Sequence, residues 1–202
     1  MTIVPQDPFL FEGSVFDNLT VFIETDRYGL PNDAVLLRAH VKRALEELGL
    51  YQVLSERLLS NSVTGVTGDV LDVRVEELGH DLSLGQRALL CLVRALLRVR
   101  LGLTAGRTQL LCIDEATAAI DEHTERALHT ALARCTQQSA HAPARLTCLL
   151  IAHRVRTVLD LCHRVLVLRE GRVAEYGTRQ ELLRNPKSCF ALLVAKSHSN
   201  NN

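Results

Sequence analysis

Two short apolar runs with a helical segment between them constrain the fold of this chain most. Residues 109–113 and 146–151 are continuous apolar stretches, which are typical of strands buried on both faces. Residues 122–135 between them have the apolar spacing of a helix. A strand, a helix and a second strand in this order predict an α/β fold with a largely parallel sheet.

Periodicity and turn residues predict the other elements. Residues 33–60 are spaced as a helix that Gly49 interrupts, and Ser83 precedes a long apolar helix over 86–100. We also expect an extended start with turns over 1–25, loop and short extended pieces over 61–80, loops over 102–108 and 136–145, a hairpin of 164–168 with 172–176, and a last helix over 179–183.

Composition limits the kind of partner and the compartment. Lys plus Arg and Asp plus Glu number 23 each, and only 4% of residues are aromatic, which argues against a nucleic-acid partner. The six cysteines form no CxxC pair, so we expect free thiols in a reducing compartment, with Cys91, Cys112 and Cys148 as small buried hydrophobes. No apolar run approaches the ~20 residues of a membrane helix, and no signal peptide opens the chain.

The run at 110–115, LLCIDE, places two carboxylates directly after an apolar strand. Open α/β sheets bind ligands at the carboxyl ends of their strands. In phosphoryl-transfer sites one such Asp holds Mg²⁺, and a second carboxylate can polarise an attacking water. Asp114 and Glu115 are therefore candidates for these two roles. The alternative is a strand that merely runs into an acidic turn.

Two further motifs suit a triphosphate. Ser83, Leu84, Gly85 and Gln86 begin the long helix, where free amides and the positive end of the helix dipole attract anions. His153 follows the second apolar strand and could donate a hydrogen bond to a terminal phosphate. The alternatives are an ordinary serine cap and a structural histidine.

The ordered set of motifs resembles the ATPase domains of ABC transporters over about residues 2–195. Residues 4–11, VPQDPFLF, are similar to the family's Q-loop, and 115–121, EATAAID, to the stretch that joins Walker B to the D-loop. Residues 175–178, EYGT, resemble the segment after the family's last hairpin. The forms LSLGQR at 82–87 and DEATAAID at 114–121 are most similar to the multidrug-resistance-associated transporters of subfamily C, and to their second, C-terminal domain.

The resemblance implies a P-loop NTPase fold of RecA-like type, with a mostly parallel sheet core and an ABC helical subdomain. It implies one partial domain over 1–195, with the helical subdomain over about 14–98, the catalytic core over about 108–195, and a disordered tail over 196–202. ATP and Mg²⁺ are the implied ligands. The implied partners are a second nucleotide-binding domain, paired head to tail, and the transmembrane domains of an exporter. The implied location is the cytoplasmic side of a membrane, although the chain expressed alone is expected to be soluble.

The resemblance also implies a role for each candidate residue. Asp114 and Gln6 would contact the metal, Glu115 would be the general base, and His153 would hold the γ-phosphate. Residues 83–86 would complete the partner domain's ATP site, with Asp121 bridging the two sites. The implied activity is ATP hydrolysis coupled to transport.

Two departures qualify this resemblance. The sequence contains no GxxxxGK[ST] motif, so we expect an N-terminally truncated domain, without some strands of its sheet, that is inactive alone. Leu84 stands where the family usually has Gly.

Two alternative functions stay open: a non-catalytic module that donates its signature motif to a partner's site, and a soluble ABC-type ATPase head.

Overall fold

The computed structural model describes residues 1–59, 68–116, 120–140, 145–152 and 155–199, with the side chains of all of these except 136–140 and 198–199. The chain divides into two compact units, Met1–Leu149 and Leu150–Asn202. None of the helices in the described ranges combines the length and the apolar character that crossing a membrane requires.

The first unit contains helices around one small sheet. Its elements are β1 (Thr2–Val4), β2 (Gly13–Ser14), α1 (Val15–Thr20), α2 (Thr25–Tyr28), α3 (Ala34–Leu48), α4 (Leu50–Leu58), 3₁₀ turns at Val70–Asp72 and Glu77–Gly79, β3 (Arg74–Val75), α5 (Leu84–Thr104), β4 (Gln109–Asp114), α6 (Glu122–Ala140) and β5 (Leu146–Ile151). The main sheet has the order β1-β4-β5, and β2 pairs with β3 in a separate antiparallel ladder.

The predicted parallel pairing is confirmed for β1 and β4. Thr2 lies opposite Leu111 and Val4 opposite Ile113 in a parallel register. The prediction that both faces of this run are buried is wrong, because Leu110 is 37% exposed whereas Leu111 is fully buried. Buried and more exposed residues alternate along β4, as they do in a strand that packs against the core with one face.

β5 is also less buried than its apolar sequence predicts. It is the last strand in the order β1-β4-β5, so it has one neighbour in the described sheet. Leu149 is 58% exposed and Ile151 is 53% exposed. Strand formation at 146–151 is thus confirmed, and its predicted burial is wrong.

The helix α5 is the centre of the first unit and contacts α1, α3, α4, α6, β1 and β4. It continues four residues past the predicted end at Arg100, and Leu101 and Leu103 are buried. Gly102 was expected to open a loop, but it stays helical. An added Cβ there would clash with the side-chain amide of Gln109, so the absence of a side chain lets that amide pack against the helix.

The interrupted helix predicted over 33–60 is confirmed as α3 and α4. The Asp33 carboxylate caps α3 by accepting hydrogen bonds from the amides of Val35 and Leu36. Gly49 joins the two helices with φ 75°, a left-handed conformation that a side chain would strain.

Two predictions for the first unit assign too few residues to helices. Residues 1–25 were expected to be extended with turns, yet α1 begins there behind a capping box in which Ser14 and Asp17 each accept the other's amide. The polar loop predicted from 136 is wrong as far as Ala140, because α6 continues to that residue. Helices as short as α1 and α2 carry too few residues for a periodic apolar pattern.

The second unit contains α7 (Val155–Leu161), β6 (Arg164–Arg169), β7 (Arg172–Thr178), α8 (Arg179–Arg184) and α9 (Cys189–Ser199). The predicted hairpin is confirmed, since β6 and β7 pair antiparallel with Arg169 opposite Arg172. Glu170 and Gly171 both have positive φ, 52° and 72°, as a two-residue type I′ turn requires. The predicted last helix corresponds to α8.

The helix α9 was not predicted, and it extends into the expected disordered tail as far as Ser199. Its first turn is capped both by the preceding residue Ser188, whose Oγ accepts a hydrogen bond from the Ala191 amide at 3.1 Å, and by a distant side chain. The Glu175 carboxylate accepts hydrogen bonds from the amides of Cys189, at 2.7 Å, and Phe190, at 3.1 Å. Residues 200–202 lie outside the described part of the chain.

All six cysteines are free, as expected. Cys91 and Cys135 are buried, and burial raises the pKa of Cys135 to about 11, so this thiol stays protonated. Cys112 is partly exposed and Cys148 is exposed. The prediction of a small buried hydrophobe is therefore wrong for Cys148, which lies on β5.

Candidate functional site

The carboxyl ends of β1 and β4 bring Gln6 against Glu115. Because these strands run parallel, both end at the same edge of the sheet. The Gln6 Nε2 donates a hydrogen bond of 3.4 Å to Glu115 Oε2, across a separation of 109 residues. Asp114 is the last residue of β4 and is partly exposed. Three residues that were singled out in the sequence therefore share one sheet edge.

Glu115 has a strained backbone. Its φ of 49° lies in the left-handed region, where a residue with a Cβ costs roughly 1–2 kcal/mol. Such conformations persist only where the surrounding structure imposes them, and they are concentrated at functional sites. The turn directs the chain away from β4 immediately after Asp114.

The N-terminus of α5 is closed by a capping box. Ser83 Oγ accepts a hydrogen bond from the Gln86 amide at 3.2 Å, and Gln86 Oε1 accepts one from the Ser83 amide at 2.9 Å. The ordinary-cap interpretation of Ser83 is thus correct as local structure. The amides of Leu84 and Gly85 lie in the same first turn, where the helix itself offers no acceptor. Leu84 projects into solvent, with 51% of its surface exposed.

A groove of about 420 Å³ lies over this helix end. The groove brings Asp121 together with the predicted residues of the signature segment. Its lining consists of Arg57, Ser83, Leu84, Gly85, Gln86, Leu89, Ile120, Asp121 and Thr124. The dipole of α5 makes this end of the groove electropositive, which suits an anionic ligand.

Asp121 is held on two sides at the rim of the groove. Its Oδ1 accepts hydrogen bonds from the Thr124 amide at 3.1 Å and from Arg57 at 2.6 Å. Its Oδ2 accepts one from the Thr124 hydroxyl at 2.7 Å, so Asp121 caps α6. Partial burial acts to raise the pKa of Asp121, but Thr124 and the Arg57 charge outweigh it and the pKa is lowered.

The sheet edge offers ligands of the type that Mg²⁺ prefers. No group of three or more His, Cys, Asp or Glu among the residues the structure describes is arranged to hold a metal by itself. Mg²⁺ in nucleotide sites needs only one or two carboxylates, with waters and phosphates completing its octahedron. Asp114 and the amide oxygen of Gln6 are such hard oxygen donors, and the residues present therefore fit this ion.

Part of the predicted site falls outside the described residues. His153 is one such residue, and residues 117–119 of the segment between Glu115 and Asp121 are others. Within the first unit the candidates form two groups, the sheet edge and the groove. Gln6, Asp114 and Glu115 do not line the groove.

Arg57 and Thr124 line the groove although the sequence did not single them out. Thr124 could have been found, because it lies three residues after Asp121, and an Asp that caps a helix accepts a hydrogen bond from the amide at that position. Arg57 lies in the last turn of α4, 64 residues from Asp121, and nothing in its local sequence marks it.

Comparison with known proteins identifies relatives over nearly the whole chain. The chain is 36% identical over 203 residues to "Bile pigment transporter 1" of Saccharomyces cerevisiae. This alignment covers 97% of the chain and 11% of that protein. The chain is also 38% identical over 197 residues to "ATP-binding cassette sub-family C member 10" of Mus musculus, in an alignment that covers 98% of the chain and 11% of that protein. No protein-family model matches the chain.

A solved structure shares the fold. The "Structure of a bacterial Atm1-family ABC exporter with ATP bound" superposes with a TM-score of 0.64 at 27% identity, over 98% of this chain and 28% of that chain. The chain thus spans about a tenth of the length of the curated relatives it matches. The chain is thus homologous, over nearly its whole length, to ATP-binding cassette transporters of subfamily C.

Proposed function

We propose that this chain is part of an ATP-binding and ATP-hydrolysing domain of an ABC exporter, which couples hydrolysis to transport of a substrate across a membrane. The observation that carries the proposal is the contact of Gln6 with Glu115 at the carboxyl edge of a parallel sheet, next to Asp114. By resemblance, the sequence motifs implicate these residues in ATP hydrolysis, and the contact of Gln6 with Glu115 supports the proposal.

Glu115 accepts a proton from the attacking water in this proposal. The water oxygen forms a bond to the γ-phosphorus, and the bond from that phosphorus to the bridging oxygen of ADP breaks. Gln6 orients the Glu115 carboxylate through its amide N–H. Mg²⁺, when bound through Asp114 and Gln6, neutralises phosphate charge. Phosphoryl transfer depends mainly on such positioning and on charge stabilisation.

By resemblance, His153, which lies outside the described residues, is proposed to hold the γ-phosphate. The phosphate cradle must come from another segment or chain, since the 202 residues contain no GxxxxGK[ST] motif. A polypeptide that includes such a cradle and transmembrane domains would place this chain on the cytoplasmic face of the membrane.

The groove is proposed to serve the ATP site of a second nucleotide-binding domain, paired head to tail with this one. Ser83 and the amides of Leu84 and Gly85 would face its triphosphate at the positive end of α5, and Gln86 supports Ser83 through the capping box. Asp121 would bridge the two sites from the rim. In this proposal the predicted helical subdomain of about 14–98 contributes the signature residues to the groove, and the predicted core of about 108–195 contributes Asp121.

A chimera tests this function. The segment of yeast bile pigment transporter 1 to which this chain aligns is replaced by the 202 residues, and ATP hydrolysis is measured in isolated membranes beside the unmodified transporter. We expect ATPase activity in the chimera and a loss of at least about a hundredfold in Glu115→Gln, because general-base catalysis contributes roughly 10²–10⁴. Glu46→Gln is the matched control, since Glu46 is an exposed carboxylate on α3.

The test separates this proposal from a non-catalytic signature donor, which the complete groove would also support. A donor module predicts a chimera in which Glu115→Gln hydrolyses ATP at the unmodified rate while changes at Ser83 reduce it. Equal activities of Glu115→Gln and Glu46→Gln would remove Glu115 from the role of general base.

A further inference from the structure

Arg57 connects two segments that both line the groove. It lies in the last turn of α4, and its Nη2 is 2.6 Å from Asp121 Oδ1. Asp121 in turn begins α6 by capping it through Thr124. The side chain of Arg57 therefore joins the end of one helix to the start of another, across 64 residues of sequence.

The main chain of Arg57 makes a second connection, to the start of α5. Gln86 Nε2 donates a hydrogen bond of 2.6 Å to the Arg57 carbonyl oxygen, while Gln86 Oε1 accepts the Ser83 amide. A continuous series of hydrogen bonds thus extends from Ser83 through Gln86 and Arg57 to Asp121. Both ends of the series lie in the lining of the groove.

The ion pair contributes little to folding. The side chains of Arg57 and Asp121 are 39% and 48% exposed, and exposed pairs stabilise a fold by only a few tenths to about 1 kcal/mol. Its effect is instead one of geometry, because it limits where the Asp121 carboxylate can lie relative to Ser83. Thr124 also binds Asp121, but it lies in the first turn of the same helix and moves with it. Arg57 is therefore the residue that fixes Asp121 relative to another helix.

We propose that Arg57 is a positioning residue that holds Asp121 and the N-terminus of α5 as one rigid surface for a partner domain's nucleotide. This inference rests on the proposed function, because the surface matters for ATP only if the groove completes a partner's site. Loss of the Arg57 side chain would weaken ATP binding at the paired interface and leave the hydrolytic residues at the sheet edge unchanged.

The chimera described above provides the kinetic test, with Arg57→Ala and Arg57→Lys. The main-chain bond to Gln86 survives in both variants, so the experiment isolates the side chain. We expect Arg57→Ala to raise the KM for ATP about threefold with kcat unchanged, a size within the range expected for an exposed ion pair. Arg57→Lys keeps the positive charge and should recover part of the affinity.

Arg43→Ala is the matched control, because Arg43 forms an exposed pair with Glu47 on α3, outside the groove. A merely structural role of Arg57 would reduce the amount of active protein, and therefore kcat, with KM unchanged. That result would overturn the proposal, as would equal KM values for Arg57→Ala and Arg43→Ala.

Hydrogen exchange on the 202-residue chain provides a measurement that does not depend on ATPase activity. We expect Arg57→Ala to accelerate exchange of the Thr124 amide, which donates to Asp121, about threefold, and Arg43→Ala to leave it at the unmodified rate. Unchanged exchange in Arg57→Ala overturns the positioning role. Accelerated exchange together with an inactive chimera supports the link between the segments and contradicts the proposed function.

Discussion

Ser83 combines two roles, as the cap of α5 and as a proposed contact for a partner's nucleotide, and substitutions can separate them. In Ser83→Ala the Gln86 amide loses an acceptor at 3.2 Å. Because Ser83 is exposed, water replaces part of this bond, and we expect a loss near 1 kcal/mol, in the middle of the range for N-cap removal. Ser83→Asn retains a capping side chain and should cost only a few tenths of a kcal/mol.

Urea unfolding of the 202-residue chain, followed by circular dichroism, measures the cap. With a slope of about 2 kcal/mol per molar urea, a loss of ~1 kcal/mol lowers the midpoint by about 0.5 M. Ser14→Ala is the matched control, since Ser14 caps α1 in the same kind of box, with its Oγ 3.0 Å from the Asp17 amide. Both alanine variants should unfold at lower urea than the unmodified chain.

ATP hydrolysis by the chimera measures the second role. We expect Ser83→Ala and Ser83→Asn to reduce the rate, because both remove the hydroxyl, and Ser14→Ala to leave it unchanged. An unchanged urea midpoint in Ser83→Ala would refute the magnitude assigned to the cap. Full ATPase activity in Ser83→Asn would refute a nucleotide contact of the hydroxyl.

Two further predictions concern stability. Leu97 is fully buried in α5, so Leu97→Ala should cost about 3–5 kcal/mol in urea unfolding, whereas Leu36→Ala, at a position 54% exposed, should cost less than about 0.5. The amides of Cys189 and Phe190 lower the pKa of Glu175, so its stabilisation is complete above the unfolded pKa of about 4.3 and is lost as the pH falls through the lower folded value. Urea midpoints should fall in this acid range, and less steeply in Glu175→Gln; equal slopes would contradict the assignment.

Long elements with strong local signals could be predicted from the sequence. The helices α3, α4 and α5 carry a repeated apolar face, and Asp33 and Ser83 stand at their starts as side-chain caps. The hairpin of β6 and β7 is marked by Glu170 and Gly171 at its turn. In each case the residues that determine the element lie within it or next to it.

The elements that were missed have contacts with distant residues as well as local signals. The helix α9 has a local cap in Ser188, and Glu175, which lies 14 residues before Cys189, adds a second one. Gly102 lies within α5, where the absence of a side chain leaves room for Gln109. The burial of β5 could not be predicted either, since an apolar strand has the same local sequence at the end of a sheet as in its centre.

The sequence by itself determined that two acids follow an apolar strand, that a serine caps a long helix, and which family these motifs resemble. These properties are local, because strand ends and helix caps are set by neighbouring residues. Only the tertiary structure decided that Gln6 contacts Glu115 and that Arg57 pairs with Asp121. The first contact depends on the parallel register of β1 with β4, and the second on the packing of α4 against α6. The paired residues are 109 and 64 positions apart in the sequence, so the local sequence of one segment does not determine either contact.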